Sequence, residues 1–256
     1  MAHLGPEQFL WGREPDTTMK PLFYDNPVTI TLQRHGALQL RSPLDFGFAR
    51  TANAVPLALT EIPLAAQWYP IGFSTADHAR PVAILGLREG ENLFVDEQGV
   101  WREGAYVPIY VRRYPFILRQ EEEDLVALCI NEGADVLIPA GGAPLFARDQ
   151  PTDLLEQAMQ FCRSAQAAEH ATKPFVDALR DLDLLDARTA VIDLPDGRKE
   201  TLSGFLTIDE TRFRALSDEH FLELRRRGWL SAIFSQIQST LNWSRLADRL
   251  SPAVAA

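Results

Sequence analysis

The sequence predicts an α+β protein: a mostly antiparallel β-sheet in the N-terminal part, then a helical C-terminal part with one β-hairpin. Three observations predict it. Residues 20–146 contain short β-like runs punctuated by Pro and Gly. Beyond the loop PAGGAP at residues 139–144 the apolar pattern takes on a helical period. Within that later part, LPDGR at residues 194–198 places Asp-Gly between two β-like runs, and that pair supplies the positive φ angles a tight hairpin turn needs.

The elements follow in order. Residues 28–32 alternate Val, Ile and Leu with Thr, as a half-buried strand does. Thr60 is a suitable N-cap for a helix over residues 61–68. Residues 81–87 (PVAILGL) and 92–95 (NLFV) read as strands around the turn REGE, and the turn DEQG leads on to Val100 and Trp101. Residues 116–118 and 125–130 flank the acidic run at 121–124 as a further strand pair. Asp153 with Glu156 resembles a capping box, followed by Leu155, Met159 and Cys162 on one helical face. Phe175, Leu179 and Leu182 continue the helical period, and Pro174 either starts a new helix or kinks a long one. A hairpin is expected over residues 190–208. Ser217 caps a helix over residues 218–227, and Gly228 ends or bends it. Leu230, Ile233, Phe234, Ile237 and Leu241 then form an amphipathic stripe, and Asn242 caps a last helix carrying Leu246 and Leu250.

A chain of 256 residues is near the upper limit for one hydrophobic core. The organisation expected is a β-rich region at 19–146 and a helical region at 147–256, or one continuous domain over 19–250. Residues 1–18, ahead of Met19, read as a poorly ordered extension. With 46% hydrophobic and 23% charged residues the chain is neither disordered nor fibrous, and its two cysteines, Cys129 and Cys162, are too few for a disulfide scaffold. Both sit in apolar patterns and are expected to be buried, reduced thiols of a cytoplasmic protein. No apolar run reaches the ~18–20 residues of a membrane span, and the first residues lack the pattern of a secretory leader.

The net charge of −10 argues against broad attraction to nucleic acid. From Arg212 onward, however, seven Arg stand against four acids, so DNA binding through the C-terminal helices is an alternative. Against it, the stripe helix carries no Lys or Arg for phosphates and base edges.

No metal or cofactor is expected. The histidines His3, His35, His78, His170 and His220 form no HxH, HExxH or Cys/His cluster. Gly-Lys never occurs, which excludes a Walker loop, and no GxGxxG or GxSxG is present. Asp181, Asp183 and Asp186 read as a solvated face. An enzyme is the second hypothesis, its site assembled from dispersed residues such as His35, His78, Asp96 and Arg113.

Residues 90–118 resist a purely structural reading. Trp101, Tyr106, Tyr110 and Tyr114 lie close to Arg102, Arg112 and Arg113, the residue mixture of binding hot spots. The leading hypothesis is a non-catalytic binding or accessory protein with a protein or peptide partner. Its surface would comprise Trp101, Tyr110, Arg112, Arg113 and Tyr114, with Asn92 and Asp96 positioning the strand. The competing reading is that the two arginines pair with nearby acids such as Asp96 and Glu103 and fasten the sheet to the helices.

The same stretch resembles a known family. KPLFYDNPV (20–28), RHGALQL (34–40), NAVPL (53–57), YPIGF (69–73), GENLFVD (90–96) and YVPIYVRRYPF (106–116) are similar to the bacterial SapC family. LPDGR, LSGF (202–205) and LRRRGWLSAIF (224–234) follow in the same order, so the resemblance spans about residues 19–250. It implies no catalytic residue set. The family is named for a gene associated with surface-layer proteins. Some members are encoded near TonB-dependent receptors, flavin-dependent halogenase-like proteins and cupin-like proteins. The implied role is an accessory one in uptake or modification of a ligand.

Overall fold

A computed structural model describes residues 21–75, 79–122, 125–194 and 197–250. The expected N-terminal extension, His78 and the Pro195-Asp196 pair lie outside the described residues. The first half contains β1 (Pro27–Thr29), α1 (Leu32–His35), β2 (Gln39–Leu40), β3 (Ala54–Pro56), α2 (Ile62–Ala65), β4 (Ile71–Ser74), β5 (Pro81–Ile84), α3 (Ile109–Arg112), β6 (Phe116–Glu122) and β7 (Leu125–Asn131). Short strands β8 (Leu137–Ile138), β9 (Ala143–Pro144), β10 (Phe146–Ala147) and β11 (Gln150–Pro151) lead into the long helix α4 (Asp153–Asp181). The hairpin β12 (Leu185–Asp193) and β13 (Lys199–Ile208) precedes α5 (Glu210–Arg214), α6 (Asp218–Arg226), α7 (Leu230–Ser239) and α8 (Asn242–Leu250).

The α+β class is as expected, with antiparallel pairing in the sheets. Their strand orders are β12-β13-β4-β5-β3, β1-β7-β6, β8-β2-β9 and β10-β11. The largest sheet draws on both ends of the chain, because β13 lies beside β4 through Phe205↔Ser74 and Leu206↔Phe73. The late hairpin therefore completes a sheet begun a hundred residues earlier. It also starts sooner than its alternation suggests, at Leu185. Charged Asp186 and Arg188 pair on its outer side and a bulge interrupts the register between Arg188 and Ala190.

The main core lies between this sheet and the helices, with Phe73, Ile84, Phe175, Leu179, Phe205 and Ile233 all buried. A second cluster under α4 joins Phe116, Leu128, Ile130, Leu145, Leu155 and Cys162. Both cysteines are free and buried.

Several local expectations are corrected. Thr60 is not an N-cap: it lies inside a 3₁₀ turn, Leu59–Glu61, where the Glu61 carboxylate accepts from the Ala58 N–H instead. Thr152, not Asp153, is the N-cap of α4, and Asp153 is its first helical residue. Of the two alternatives at Pro174 the structure has the long helix: Pro174 sits inside α4 and does not start a new one. Residues 92–95 do not form a strand. The Asn92 side chain donates to the Ala49 carbonyl at 2.9 Å and accepts from the Phe94 N–H at 2.9 Å, turning the backbone and leaving a single Val95↔Trp101 bridge.

The C-terminal stripe holds in part: Ile233 lies in the core and Leu230 and Ile237 pack against it. In α7 the buried residues are Ala232, Ile233, Gln236 and Ser239, whereas Phe234 is 46% and Leu241 76% exposed. The cause is hydrogen bonding. Gln236 Oε1 accepts from the Ile208 N–H at 3.2 Å, and its Nε2 donates to the Ile71 carbonyl at 2.9 Å. Ser239 Oγ accepts from the Ile71 N–H at 3.0 Å. These two polar side chains bind α7 to β4 and β13 where the strands themselves share only two paired positions.

Candidate functional site

The residues singled out at 92–114 divide between interior and surface. Asn92 is buried and shapes its own turn. Asp96 Oδ1 accepts from the N–H groups of Gln98 and Val100 at 2.9 and 2.8 Å, forming a turn completed by Gly99 at φ +78. A Cβ at Gly99 would crowd the Gly47 backbone and Asp45, so glycine is required twice over. Trp101 is 5% exposed, with its indole N–H donating to Tyr69 Oη at 3.3 Å. Tyr114 is equally buried: it stacks on Phe48 at 3.9 Å and accepts from Asn131 Nδ2 at 3.2 Å. Four of the seven predicted site residues therefore shape or fill the scaffold.

The two arginines part company. One helical turn places consecutive residues about 100° apart, so Arg112 and Arg113 leave α3 in different directions. Arg113 turns inward. Its guanidinium lies 4.1 Å from the Tyr110 ring centroid and 5.8 Å from that of Tyr24, and its Nε is buried with no hydrogen-bond partner among the described residues. Burial works against its charge, and the Tyr24 and Tyr110 phenols favour it. Burial pushes the Cys162 thiol beside it up to about 11, against the pull of Arg113. Tyr110 is anchored by its hydroxyl, which donates to the Leu22 carbonyl at 3.2 Å. Arg113 is a brace, though not by the expected ion pairs: it meets rings, and neither Asp96 nor Glu103 reaches it.

Arg112 turns outward and is exposed. Its guanidinium lies 5.7 Å from the Tyr106 centroid and 5.5 Å from that of Phe161 on α4, and its Nη2 donates to Tyr106 Oη at 3.3 Å. Among the described residues it forms no ion pair with a carboxylate. Beneath it sits a residue that sequence reasoning assigned only to a helix. Glu61 is 2% exposed and accepts from the Ala58 N–H at 2.7 Å, the Ile109 N–H at 2.6 Å and Tyr106 Oη at 2.9 Å. Burial raises its pKa above the usual carboxylate range, and the backbone and phenol donors oppose that rise. Burial, with the Glu61 charge next, pushes the Tyr106 phenol up to about 12. Glu61, Tyr106 and Arg112 thus form a relay from a buried carboxylate to an exposed guanidinium, and it fixes where Arg112 stands. The signal for Glu61 was present in the sequence only as an acid in the apolar run LALTEIPLAA.

A family model, SapC, matches residues 30–246, most of the chain and nearly all of the elements above. The chain belongs to the SapC family. The motifs GENLFVD and YVPIYVRRYPF, which carry the resemblance, are the ones that build the Asn92 turn, α3 and the Arg112–Arg113 fork. No curated protein and no solved structure matches the chain.

Among the described residues, the enzyme candidates His35, Asp96 and Arg113 do not share partners. His35 is buried and bonded to Thr31 and to Glu132 at 3.2 Å, far along the chain from the contacts of Asp96 and Arg113. Two surface clefts, of about 280 and 390 Å³, are lined by residues around Arg188 and Trp243 and around Asp177, His220 and Glu223. Neither is lined by His35, Asp96 or Arg113. Asp183 and Asp186 pair with Arg212 and Arg188 at 3.1 and 3.4 Å. Among the described residues no group of three or more His, Cys, Asp or Glu side chains is placed to hold a metal ion, and no helix is long and apolar enough to cross a membrane. In the proposed DNA-binding helices Arg226 and Arg227 both pair with Glu223, and Arg227 also covers the Trp229 ring.

Proposed function

We propose that this SapC-family chain is a non-catalytic, cytoplasmic binding protein, accessory to a surface-layer or ligand-uptake and modification system. Its contact surface is the α3–α4 corner around Arg112, and its partner is a protein or peptide offering a carboxylate or an aromatic group. One observation supports this reading above the others. An exposed guanidinium is held between the Tyr106 and Phe161 rings, backed by Glu61 through Tyr106, and meets no carboxylate among the described residues. Aromatic flanks of this kind keep an arginine fork preorganised for a planar acceptor. The catalytic and nucleic-acid alternatives have less support: the catalytic candidates are dispersed, and of the C-terminal arginines Arg226 and Arg227 are paired within the chain.

The test compares Arg112→Ala with Arg113→Ala as baits for affinity capture, each normalised to its folded fraction. Arg112→Ala is expected to fold with stability within about 1 kcal/mol of wild type and to lose the captured partner. Arg113→Ala is expected to lose stability, since a desolvated cation–π contact alone contributes about 2 kcal/mol, while its folded molecules still bind. Equal capture by wild type and Arg112→Ala would remove the proposal.

A further inference from the structure

Around α8, three arginines gather with no ion-pair partner among the described residues. Arg245 and Arg249 are four residues apart on α8 and so share one side of that helix. The Arg102 backbone lies beside them: its N–H donates to the Phe94 carbonyl at 2.7 Å, the Arg249 guanidinium lies 3.9 Å from the centre of the Phe94 ring, and the Arg102 charge acts on Arg249. Among the described residues none of the three forms an ion pair, the neighbouring acids Glu103 and Asp248 included. Arg249 Nη1 is buried with no hydrogen-bond partner. Burial, with the charges of Arg102 and then Arg245, makes the Arg249 cation harder to keep.

The cluster is held in place. Asn242 Nδ2 donates to the carbonyls of Ala66 and Tyr69 at 2.7 and 3.1 Å, pinning the start of α8 to the turn before β4. Arg245 Nη1 donates to Asn242 Oδ1 at 3.0 Å and to the Gln67 carbonyl at 3.3 Å. The Arg249 guanidinium sits over the Phe94 ring, and the exposed Arg102 side chain has no hydrogen-bond acceptor among the described residues. Like charges at four-residue spacing repel, and here they accumulate in a chain whose net charge is −10. A single carboxylate would discharge one of them. A doubly charged tetrahedral oxyanion offers acceptor oxygens to several planar forks at once, and its geometry suits bidentate arginine contacts.

From this geometry we infer that Arg102, Arg245 and Arg249 form a binding site for a phosphate group. The experiment is calorimetric titration of the full chain with inorganic phosphate at low ionic strength, with chloride at matched ionic strength as the control. A parallel arm measures co-sedimentation with phosphatidylglycerol vesicles against phosphatidylcholine vesicles. Saturable binding of inorganic phosphate assigns a soluble ligand; binding to the anionic vesicles alone assigns a lipid headgroup. In either arm Arg249→Gln is expected to weaken binding at least tenfold. Arg102→Gln, whose exposed side chain holds nothing in the fold, should do so with melting temperature unchanged. No saturable response beyond chloride in either arm, or binding undiminished in both variants, would overturn the site.

Discussion

Glu61 is the residue on which the Arg112 surface stands, and replacing it has a calculable consequence. Glu61→Ala removes the acceptor from two backbone donors, the N–H groups of Ala58 and Ile109, and from the Tyr106 hydroxyl. Tyr106 is only partly buried and retains Arg112 and water as neighbours. The Ala58 N–H is buried and the Ile109 N–H part-buried, and each buried donor left unpaired costs about 1–3 kcal/mol. The expected loss is about 2–6 kcal/mol, reduced somewhat because the burial cost of the carboxylate disappears as well. Glu61→Gln keeps one oxygen for Ile109 and Tyr106 but turns an NH₂ toward the Ala58 N–H, so it is expected to lose about 1–3 kcal/mol. The assay is urea unfolding followed by circular dichroism at several pH values. The sign of the pH dependence follows from the raised carboxyl pKa. The folded state holds the proton more tightly than the unfolded chain, so the stabilising contribution is complete below the ordinary value of 4.5 and is lost as pH rises through the raised folded value. The deficit of Glu61→Gln relative to wild type should therefore be largest in acid and narrow toward neutral pH. A Glu61→Ala protein within about 0.5 kcal/mol of wild type, a change typical of an unremarkable surface site, would refute this account of the relay.

Further outcomes follow from the same hydrogen-bond and burial arguments. Gln236→Leu keeps the volume of a fully buried side chain but leaves the Ile208 N–H and the Ile71 carbonyl unpaired. The expected loss is about 2–5 kcal/mol, which lowers the melting temperature by roughly 2–4 °C per kcal/mol in a chain of this size; an unchanged melting temperature would show that α7 does not hold β4 and β13 together. Cys162 is buried, its thiol pushed up to about 11. Its alkylation by iodoacetamide at pH 8 should proceed only as fast as the protein opens, and labelling at the rate of a free thiol would contradict its placement under α4.

The α+β class was legible because each part carries its own period, and Ser217 as an N-cap was legible because capping is local: its hydroxyl accepts from the His220 N–H three residues on. The hairpin was visible for the same reason, an Asp-Gly turn between two alternating runs. The helix of residues 230–239 was visible and its buried face in part, through Leu230, Ile233 and Ile237, but apolar spacing assigns Phe234 to the core and cannot see that Gln236 and Ser239 will be buried to serve the backbone of a strand 165 residues earlier. The site followed the same division. Composition and order marked residues 92–114 as unusual and carried the family resemblance. Composition cannot distinguish an arginine that stacks inside from one that reaches outside, because Arg112 and Arg113 differ only in the direction each leaves a single helical turn. Glu61 and the Arg102–Arg245–Arg249 cluster were invisible for a stronger reason: their partners are brought together by the packing of α2, α3 and α8 on the sheet. Local periods and caps, which depend on neighbours a few residues away, were the sequence's own to determine. Which polar groups are buried, what satisfies them and which charges meet were decided by contacts between distant segments, which exist only once the chain has folded.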